Sequence, residues 1–387
     1  MIFVILFWVS VLCILHTYLF YPLIIQLLSY FFKYKPAPYE STDELPYIAV
    51  LMAAYNEEAV IDEKIRSIIN TNYPREKIKI YIGSDASTDK TDDIIKGYQE
   101  YNKLFFKRFD TRQGKPNIIN YLAGEAEGEV LVITDANVMF EPETLSQLIK
   151  SFKDESVGLV DTFMINKEHQ AAGISFQEKT YIAREVRVKY HESFSFGCMM
   201  GPFGGCFAVR KNLFEPIPEN YLVDDFYINM KVFEQDRKAI NNLNARVYEK
   251  VSNNLKEEIR RKIRISTGNF QNLIHFRHIL LKFNIISFSF LSHKVLRWFG
   301  PVFLLLALFS NALIIHRHYF YFFSFLAQVI LLLLPFIDLI LRKIEIHIII
   351  LRFITHFYSM NLALFIGLIK YIRGVKTNVW QPTRRHQ

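Results

Sequence analysis

The sequence predicts an α/β domain with a parallel-rich central sheet, flanked by transmembrane helices. Between residues 47 and 164, strand-like runs alternate with segments of helical period, a pattern typical of a parallel sheet covered by helices on both faces. Long apolar blocks lie on either side of this region, and the first, residues 2–32, contains no Asp, Glu, Lys or Arg. Because a helix needs roughly 20 residues to cross a bilayer core, this block is long enough to span a membrane.

The N-terminal block is predicted to be a retained anchor, because it is far longer than the apolar core of a signal peptide and no small-residue cleavage site follows it. Three further apolar blocks lie in the C-terminal third, at 298–315, 319–341 and 346–371. The first two are predicted to cross the membrane. The third carries Arg352, His356 and Asn361, so it either crosses with these polar groups facing protein or lies in the interface. A third full crossing would export the basic tail, which favours an interfacial or re-entrant course.

Basic residues flank the apolar blocks, and this bias predicts the orientation of the chain. They are Lys33, Lys35, Lys294, Arg297, Arg342 and Lys343, with more between Lys370 and Arg385. Because Lys and Arg concentrate on the cytoplasmic side, residues 33–296 are predicted to be cytoplasmic and the N-terminus to lie outside. Anionic lipid head groups beside these blocks explain much of the formal net charge of +8, and no nucleic-acid motif occurs, so the predicted partners are membrane lipids and not nucleic acids.

The elements of the middle region are predicted in chain order from their periodicity. Strands are predicted at 47–54, 77–83, 104–109, 130–134 and 157–164, and helices at 58–69 and 142–152. The predicted divisions of the chain are a transmembrane helix at 1–32, a cytoplasmic domain at 33–270, an amphipathic interface segment at 271–296, membrane helices at 297–372 and a basic cytoplasmic tail at 373–387.

Polar and acidic residues follow the predicted strands, as the stretch LVITDANVMF (131–140) shows. Its apolar run ends in Asp135 and Asn137, while Asp85 and Lys115 follow the second and third strands. In parallel sheets the carboxyl ends of the strands form the ligand-binding edge, so these side chains are predicted to converge in one pocket. The alternative is that such residues cap helices, which is the interpretation favoured for Asp89.

The residue types at this edge predict a nucleotide whose diphosphate is held through a divalent cation. No GxGxxG follows the first strand, so the dinucleotide-binding turn is missing, and no GxxxxGK[ST] loop occurs. Hard oxygen ligands favour Mg²⁺ or Mn²⁺. Cys13, Cys198 and Cys206 show no metal or redox spacing and are predicted to be small buried residues in a reducing compartment.

Four motifs follow the predicted strands: AAYNEE (53–58), SDASTD (84–89), RQGKPNIIN (112–120) and TDAN (134–137). They resemble those of family 2 of the glycosyltransferases, inverting enzymes of GT-A fold that include cellulose, chitin and hyaluronan synthases. The resemblance extends over about residues 47–270 and implies donor binding by Ala54, Tyr55, Glu57, Asp85, Lys115 and Asp135. It also implies a Mg²⁺ or Mn²⁺ site at Asp135 and Asn137. Asn137 replaces the second carboxylate of the family's Asp-x-Asp motif, and Ala86 stands where the family has glycine.

Two further segments resemble the family's acceptor and catalytic motifs. GPFGGCFAVRK (201–211) is similar to the glycine-rich segment that lines the acceptor cavity, and LVDDFYINMKV (222–232) is similar to the Thr-Glu-Asp motif that opens a helix. This similarity implies acceptor binding by Gly204, Gly205 and Asp224, and a catalytic base at Asp225.

The family's Gln-x-x-Arg-Trp motif has a partial counterpart near residue 264. Arg264 agrees with the motif, whereas Arg261 and Ile265 stand at its other two defined places. The resemblance assigns Arg261 and Arg264 to the donor site. The same stretch also fits a basic amphipathic helix on a membrane surface.

The resemblance implies an inverting, metal-dependent glycosyltransferase of the hexosyltransferase class. Its donor would be a nucleotide sugar, with UDP as the expected nucleotide, and its acceptor a saccharide or lipid-linked oligosaccharide at a bacterial cell membrane. Polysaccharide biosynthesis for the cell envelope would also involve export partners. The alternatives are a nucleotide-sugar-binding membrane protein without catalysis, and a transporter, which leaves the acidic residues at successive strand ends unexplained.

Overall fold

The computed structural model describes residues 1–98, 103–167, 175–250, 255–344, 346, 348–375 and 377–379. The chain divides into two compact units. The helical unit comprises Met1–Gln26, Gln170–Arg184 and Asn253–Gly374, and the sheet unit comprises Leu27–His169, Glu185–Ser252 and Val375–Gln387. Most of the predicted basic tail after residue 375 lies outside the described residues.

The sheet unit is built on one eight-stranded sheet. Its strands are β1 (Ile48–Ala54), β2 (Ile78–Asp85), β3 (Leu104–Phe109), β4 (Val130–Thr134), β5 (Val138–Phe140), β6 (Val157–Lys167), β7 (Cys206–Arg210) and β8 (Lys238–Lys250), in the order β3-β2-β1-β4-β7-β6-β8-β5. Strands β3, β2, β1 and β4 are parallel, β7 runs antiparallel to both of its neighbours, β6 and β8 are parallel, and β5 is antiparallel to β8.

The prediction of an α/β fold is confirmed, and all five predicted strands are present with ends shifted by at most a few residues. The sheet is mixed, however, because β5 and β7 run against their neighbours. Strands β5, β7 and β8 add to the five that were predicted. Their sequences are short or interrupted by polar residues such as Asn241 and Asn244, so they show no clear alternation of apolar and polar positions.

Fourteen α-helical segments occur among the described residues. They are α1 (Ile2–Leu15), α2 (Tyr21–Phe31), α3 (Ile61–Ile69), α4 (Thr91–Lys96), α5 (Lys115–Glu125), α6 (Thr144–Ile149), α7 (Ser175–Phe196), α8 (Asp224–Glu234), α9 (Leu255–His275), α10 (Ile285–Ser289), α11 (Leu296–Trp298), α12 (Gly300–Ile314), α13 (Tyr319–Lys343) and α14 (Ile349–Ile372). Short π-helical segments at His16–Phe20 and Phe290–Val295 continue α1 and α10.

Helices cover both faces of the parallel half of the sheet. On one face, Ile61, Ile65 and Ile68 of α3 are fully buried in a cluster with alternate residues of β1 and β2. Burial of each such side chain contributes about 1.5–3 kcal/mol. On the other face, α5 lies so close to β2 that a side chain at Gly83 would overlap Ile118. This packing fixes the start of α5, and with it Lys115, beside the carboxyl end of β2.

Three helical stretches in the described residues are long and apolar enough to cross a membrane: Ile2–Phe31, Tyr319–Lys343 and Ile349–Ile372. The pair Ile285–Trp298 and Gly300–Ile314 would be a fourth only if it counted as one span, and it is bent by 63°. The bend lies just before α12. Pro301 has no backbone N–H and therefore begins a new helix there. The third C-terminal block forms one continuous helix of spanning length, Ile349–Ile372, and its interfacial or re-entrant course stays a prediction.

Candidate active site

The carboxyl ends of β1, β2 and β4 lie side by side and form the edge at which a pocket was predicted. Ala54, the last residue of β1, is paired with Ser84 of β2, and Asp85 ends β2 as a fully buried residue. Asp135 directly follows β4, and its backbone N–H donates to the Gly205 carbonyl at 2.9 Å. The parallel register thus delivers acidic groups from distant parts of the sequence to one edge.

Lys115 lies at the centre of these groups. Its Nζ donates to Asp135 Oδ1 at 2.8 Å, lies 3.5 Å from Asp224 Oδ2 and also reaches the Gly204 carbonyl at 3.5 Å. Burial alone would lower the pKa of Lys115, but the charges of Asp135 and Asp224 outweigh burial and raise the pKa above its ordinary value. Lys115 therefore remains a fixed positive charge in this pocket at neutral pH.

Asp224 and Asp225 form the first turn of α8, where the helix dipole favours negative charge. Asp224 Oδ2 is buried and accepts no hydrogen bond from the described residues, so the nearby Lys115 is its compensating charge. Asp225 Oδ1 accepts from the Phe226 N–H at 2.7 Å. Burial, together with the neighbouring charge of Asp224, raises the pKa of Asp225 to about 6, against the opposing charge of Lys115. A carboxylate with this pKa suits proton transfer near neutral pH.

The glycine-rich loop before β7 closes one side of the pocket. Gly204 has a φ of +78°, a conformation that L side chains rarely adopt, and a Cβ at this position would overlap Asp225 Oδ2. The Gly205 carbonyl accepts from Thr134 Oγ1 at 3.2 Å as well as from the Asp135 N–H. The loop is therefore tied to the end of β4 and held against Asp225. Acceptor binding by Gly204, Gly205 and Asp224 stays a prediction.

Asp85 holds the loop that carries Lys115. Its Oδ1 accepts from the Gln113 N–H at 2.5 Å, and its Oδ2 accepts from Arg112 Nε at 2.9 Å and from the Gly114 N–H at 3.2 Å. The Arg112 guanidinium lies 3.3 Å from the centre of the Tyr55 ring. Asp85, Tyr55 and Lys115 are thus parts of one connected site, and their contact with a donor stays a prediction.

The AAYNEE motif is hydrogen-bonded to the SDASTD motif and to Thr91, two residues beyond it. Asn56 Oδ1 accepts from the Thr88 N–H at 2.9 Å, and the Glu57 N–H donates to Thr91 Oγ1 at 2.8 Å. Asn56 has a φ of +53° and Ala86 a φ of +57°. Asparagine tolerates this left-handed conformation better than alanine does. The glycine that the family has at position 86 therefore matches a backbone requirement that Ala86 meets only under strain.

Asp135 and Asn137 occupy one turn after β4 and offer two hard oxygen donors. Asn137 Nδ2 donates to Glu249 Oε1 at 3.1 Å, so the amide oxygen is the atom left to ligate. Among the described residues, no group of three or more His, Cys, Asp or Glu side chains is arranged to hold a metal ion. The set fits Mg²⁺ or Mn²⁺, because such ions in nucleotide sites use one or two protein ligands together with substrate phosphates and water.

Two buried lysines beside the pocket were not predicted from the sequence. Lys64 of α3 is fully buried, and its Nζ donates to Thr134 Oγ1 at 2.9 Å and to the Val138 carbonyl. Burial lowers the pKa of Lys64 to about 7. Lys64 thus donates hydrogen bonds to the residues on both sides of the turn that contains Asp135 and Asn137. The sequence feature that could have indicated this role is a lysine within the apolar stripe of a helix.

The second is Lys189 of α7, which pairs with Asp161 of β6 at 2.9 Å, with both side chains almost completely buried. Burial raises the pKa of Asp161, and the charge of Lys189 opposes this rise. Asp161 Oδ1 accepts from the Phe203 N–H at 3.3 Å, and Lys189 Nζ lies 3.8 Å from the centre of the Phe203 ring. The pair therefore fixes the glycine-rich loop. The available signal was an acidic residue inside the apolar run VGLVDTFM.

Arg261 and Arg264 lie on α9 in the helical unit. Arg261 Nη1 is 3.5 Å from Glu258 of the same helix. The assignment of both arginines to the donor stays a prediction.

The sheet region is similar in sequence to known proteins. Residues 49–217 match the family model described as Glycosyl transferase family 2. The beta-monoglucosyldiacylglycerol synthase of Trichormus variabilis is 33% identical over 124 residues, which cover 31% of this chain and 26% of that protein. The poly-beta-1,6-N-acetyl-D-glucosamine synthase of Staphylococcus aureus is 30% identical over 121 residues, 31% of this chain and 29% of that protein. The matches thus span less than a third of these relatives.

A solved structure resembles the chain over most of its length. It is the mannosyltransferase PcManGT from Pyrobaculum calidifontis, in complex with GDP-Man and Mn²⁺, with a TM-score of 0.69 and 20% identity over 95% of this chain and 99% of that chain. At this level of identity the likeness concerns the fold. Taken with the strand order, it shows that the sheet region has the GT-A fold, and residues 49–217 of this region are similar to glycosyl transferase family 2.

Proposed function

We propose that this chain is an inverting glycosyltransferase that moves a sugar from a nucleoside diphosphate donor, expected to be a UDP-sugar, to a lipid-linked or polysaccharide acceptor at a membrane. The observation that carries this proposal is the contact of one lysine, Lys115, with carboxylates from two elements, Asp135 after β4 and Asp224 at the start of α8. This arrangement places positive charge for a diphosphate beside Asp225, a candidate base.

Asp225 removes the proton from the attacking hydroxyl of the acceptor. A carboxylate with a pKa of about 6 is mostly ionised at neutral pH and still basic enough to accept a proton as the new bond forms. Direct attack by that hydroxyl on the anomeric carbon, opposite the leaving diphosphate, inverts the configuration. A positioned base of this kind contributes about 10²-fold to 10⁴-fold to the rate.

Positive charge stabilises the departing diphosphate. Lys115 supplies it from the start of α5, and Arg264 and Arg261 are proposed to add to it from α9. Asp135 and Asn137 would hold Mg²⁺ or Mn²⁺, which acts as a Lewis acid on phosphate oxygens when bound. The presence of Mn²⁺ in the structure of PcManGT supports this assignment.

The rest of the donor is proposed to occupy the edge between β1 and β2. Ala54 and Tyr55 end and follow β1, Glu57 lies beyond them, and Asp85 ends β2. The buried carboxylate of Asp85 positions the loop 112–115, so this end of the site is rigid before a nucleotide binds.

The acceptor is proposed to enter past Gly204, Gly205 and Asp224. The two curated relatives are named as synthases of a glycolipid and of a polysaccharide, which supports an acceptor of one of these classes. The apolar helices of spanning length support catalysis beside a bilayer by a multi-pass protein of a bacterial cell membrane. The domain boundaries at 32, 270, 296 and 372, and export partners for a secreted polymer, are part of the same proposal.

The test is transfer by the purified protein in lipid, with a panel of radiolabelled UDP-sugars and GDP-sugars and with Mn²⁺ or Mg²⁺. One donor is expected to be consumed, and the length of the product distinguishes a polymer from a single addition. Asp225→Asn is expected to retain donor binding and to lose transfer by about 10²-fold to 10⁴-fold.

The matched control is Glu234→Gln, which removes a carboxylate from the other end of α8, where it pairs with Lys231 at 2.8 Å. This control is expected to transfer sugar at nearly the normal rate. A protein that only binds nucleotide sugars would show no transfer in any form, and normal transfer by Asp225→Asn would refute the assignment of the base.

A further inference from the structure

The cation site has an amide where a second carboxylate is expected, and a glutamate from another strand contacts that amide. Asn137 Nδ2 donates to Glu249 Oε1 at 3.1 Å, although the two residues are 112 positions apart in the chain. Glu249 is only 8% exposed. It lies on β8 and is paired with Val138, the neighbour of Asn137, in the antiparallel register of β5 and β8.

The bond determines which end of the Asn137 amide is available. A carboxylate accepts hydrogen bonds only, so it selects the NH₂ end of the amide and leaves the carbonyl oxygen as the remaining donor atom for a hard cation. An unrestrained asparagine would present either end. Since β8 is held by β6 on one side and β5 on the other, Glu249 is placed by a rigid part of the sheet.

Glu249 also changes the charge of the turn. Asp135 and Asn137 together carry one negative charge, whereas an Asp-x-Asp motif carries two. With Glu249 in hydrogen-bond contact with Asn137, the turn and its immediate surroundings again contain two carboxylates. Attraction between a carboxylate and a divalent ion does not require direct ligation, because it falls off only gradually with distance in a partly buried site.

We propose that Glu249 completes the cation site by orienting Asn137 and by supplying the negative charge that Asn137 lacks. The proposal rests on the function proposed above, since it concerns the same cation. Asn137 and Glu249 together form one unit that replaces the second acidic residue of the Asp-x-Asp motif. Glu249 is a positioning residue in this unit, and Asn137 is the ligand.

The test moves the carboxylate from position 249 to position 137 and measures Mn²⁺ binding. This measurement does not depend on sugar transfer. The free Mn²⁺ signal in electron paramagnetic resonance is titrated against the full chain in lipid, with saturating UDP and again with GDP. Glu249→Gln is expected to weaken Mn²⁺ binding by about 10-fold to 100-fold, the range found when an outer partner of a metal ligand is removed. The double variant Asn137→Asp with Glu249→Gln is expected to recover most of the Mn²⁺ affinity that Glu249→Gln loses, because the charge is moved onto the ligand itself.

The matched control is Glu141→Gln, which removes a carboxylate that accepts a hydrogen bond from Tyr248, the residue before Glu249. It is expected to leave Mn²⁺ binding unchanged. Normal Mn²⁺ binding by Glu249→Gln, or a double variant as weak as the single one, would overturn the inference alone. Failure of the wild type to bind Mn²⁺ with either nucleotide would overturn the metal assignment in the proposed function and the inference with it. Thermal unfolding of each variant shows whether the fold is retained.

Discussion

At the scale of single residues, the site depends on how one lysine is shared among carboxylates. Lys115 contacts Asp135 and Asp224 directly, and its charge also acts on Asp225. Because Lys115 compensates Asp224, two adjacent acids can occupy the first turn of α8 in a buried pocket. The pKa of Asp225 is raised by burial and by the charge of Asp224, and the charge of Lys115 lowers it.

This balance predicts an acid limb in the pH dependence of transfer. Asp225 must be ionised to act as a base, so kcat/KM is expected to fall about tenfold per pH unit below a pH of about 6. Asp224→Asn removes the neighbouring negative charge, which lowers the pKa of Asp225 and moves the limb to lower pH. The measurement is the pH profile of kcat/KM for both proteins. A limb that stays in place or moves to higher pH in Asp224→Asn would contradict the assignment.

A second prediction at this scale concerns the strained backbone at Ala86. Ala86→Gly is expected to raise the free energy of unfolding by about 1 kcal/mol, because the left-handed conformation at φ +57° penalises a Cβ. The measurement is reversible unfolding in detergent.

The matched control for this change is Ala49→Gly within β1, where the backbone is an ordinary strand and the residue is fully buried. This change is expected to lower the free energy of unfolding by at least about 0.5–1 kcal/mol. Equal effects of the two substitutions would show that backbone strain at Ala86 is unimportant.

At the scale of elements, loops held by buried charges surround the pocket. Asp85 fixes the loop before α5, Lys64 supports the turn after β4, and the pair of Asp161 and Lys189 fixes the glycine-rich loop before β7. Each of these buried side chains lies on a strand or helix. Each contacts a backbone group of its loop or an aromatic ring that the loop carries. The groups proposed to act in catalysis are thus positioned by the regular elements beneath them.

The glycine-rich loop offers a prediction with a control one residue away. Gly204→Ala would place a methyl group on Asp225 Oδ2 in a left-handed conformation, so it is expected to reduce transfer at least tenfold, since a small displacement of a reacting group is costly. Gly205→Ala meets mainly the end of the flexible Met164 side chain, and its backbone is not left-handed. It is expected to have the smaller effect. Transfer rates and thermal unfolding of both variants are the measurements, and the opposite order would contradict the role of Gly204.

The sequence predicts those parts of the fold and site that depend on local pattern. Strands β1 and β4 are continuous apolar runs and β2 is mostly apolar, so the positions of Asp85 and Asp135 at one edge follow from their places at the ends of those runs. Strand β8 contains Asn241, Asn242 and Asn244, which have no strand preference, and it is stabilised by pairing with β6 and β5. The contact of Glu249 with Asn137 depends on that pairing, so no local pattern could predict it.

At the scale of the whole molecule, the C-terminal segment after α14 returns to the sheet unit. A Cβ at Gly114 would overlap Asn378 Oδ1, so this segment packs directly against the loop that carries Lys115. We therefore predict that residues 377–379 lie on the same side of a membrane as the sheet. The chain between the sheet and this segment would then cross an even number of times. Helices α13 and α14, which are long and apolar enough to span, would supply two crossings, and the bent pair before them would enter the membrane without crossing.

This topology can be tested by labelling single cysteines with a membrane-impermeant reagent in sealed, right-side-out vesicles. A cysteine at Arg317, between α12 and α13, is expected to be protected, and a cysteine at Ile346, between α13 and α14, is expected to react. This topology would put Arg342 outside, against the usual bias of basic residues toward the cytoplasm, while the more basic tail stays inside. Reaction at position 317 with protection at 346 would show instead that the bent pair crosses the membrane.

The ion pair between Lys115 and Asp135 couples the two halves of the proposed donor site. In the proposed function, Asp135 would be shared between Lys115 and a metal ion, and Lys115 would be shared between Asp135 and a diphosphate. A diphosphate that draws Lys115 away frees Asp135, so nucleotide and metal should bind cooperatively, and each should increase the affinity for the other by the same factor. Neither the nucleotide nor the metal ion would bind tightly alone, and both would dissociate together after the sugar has been transferred.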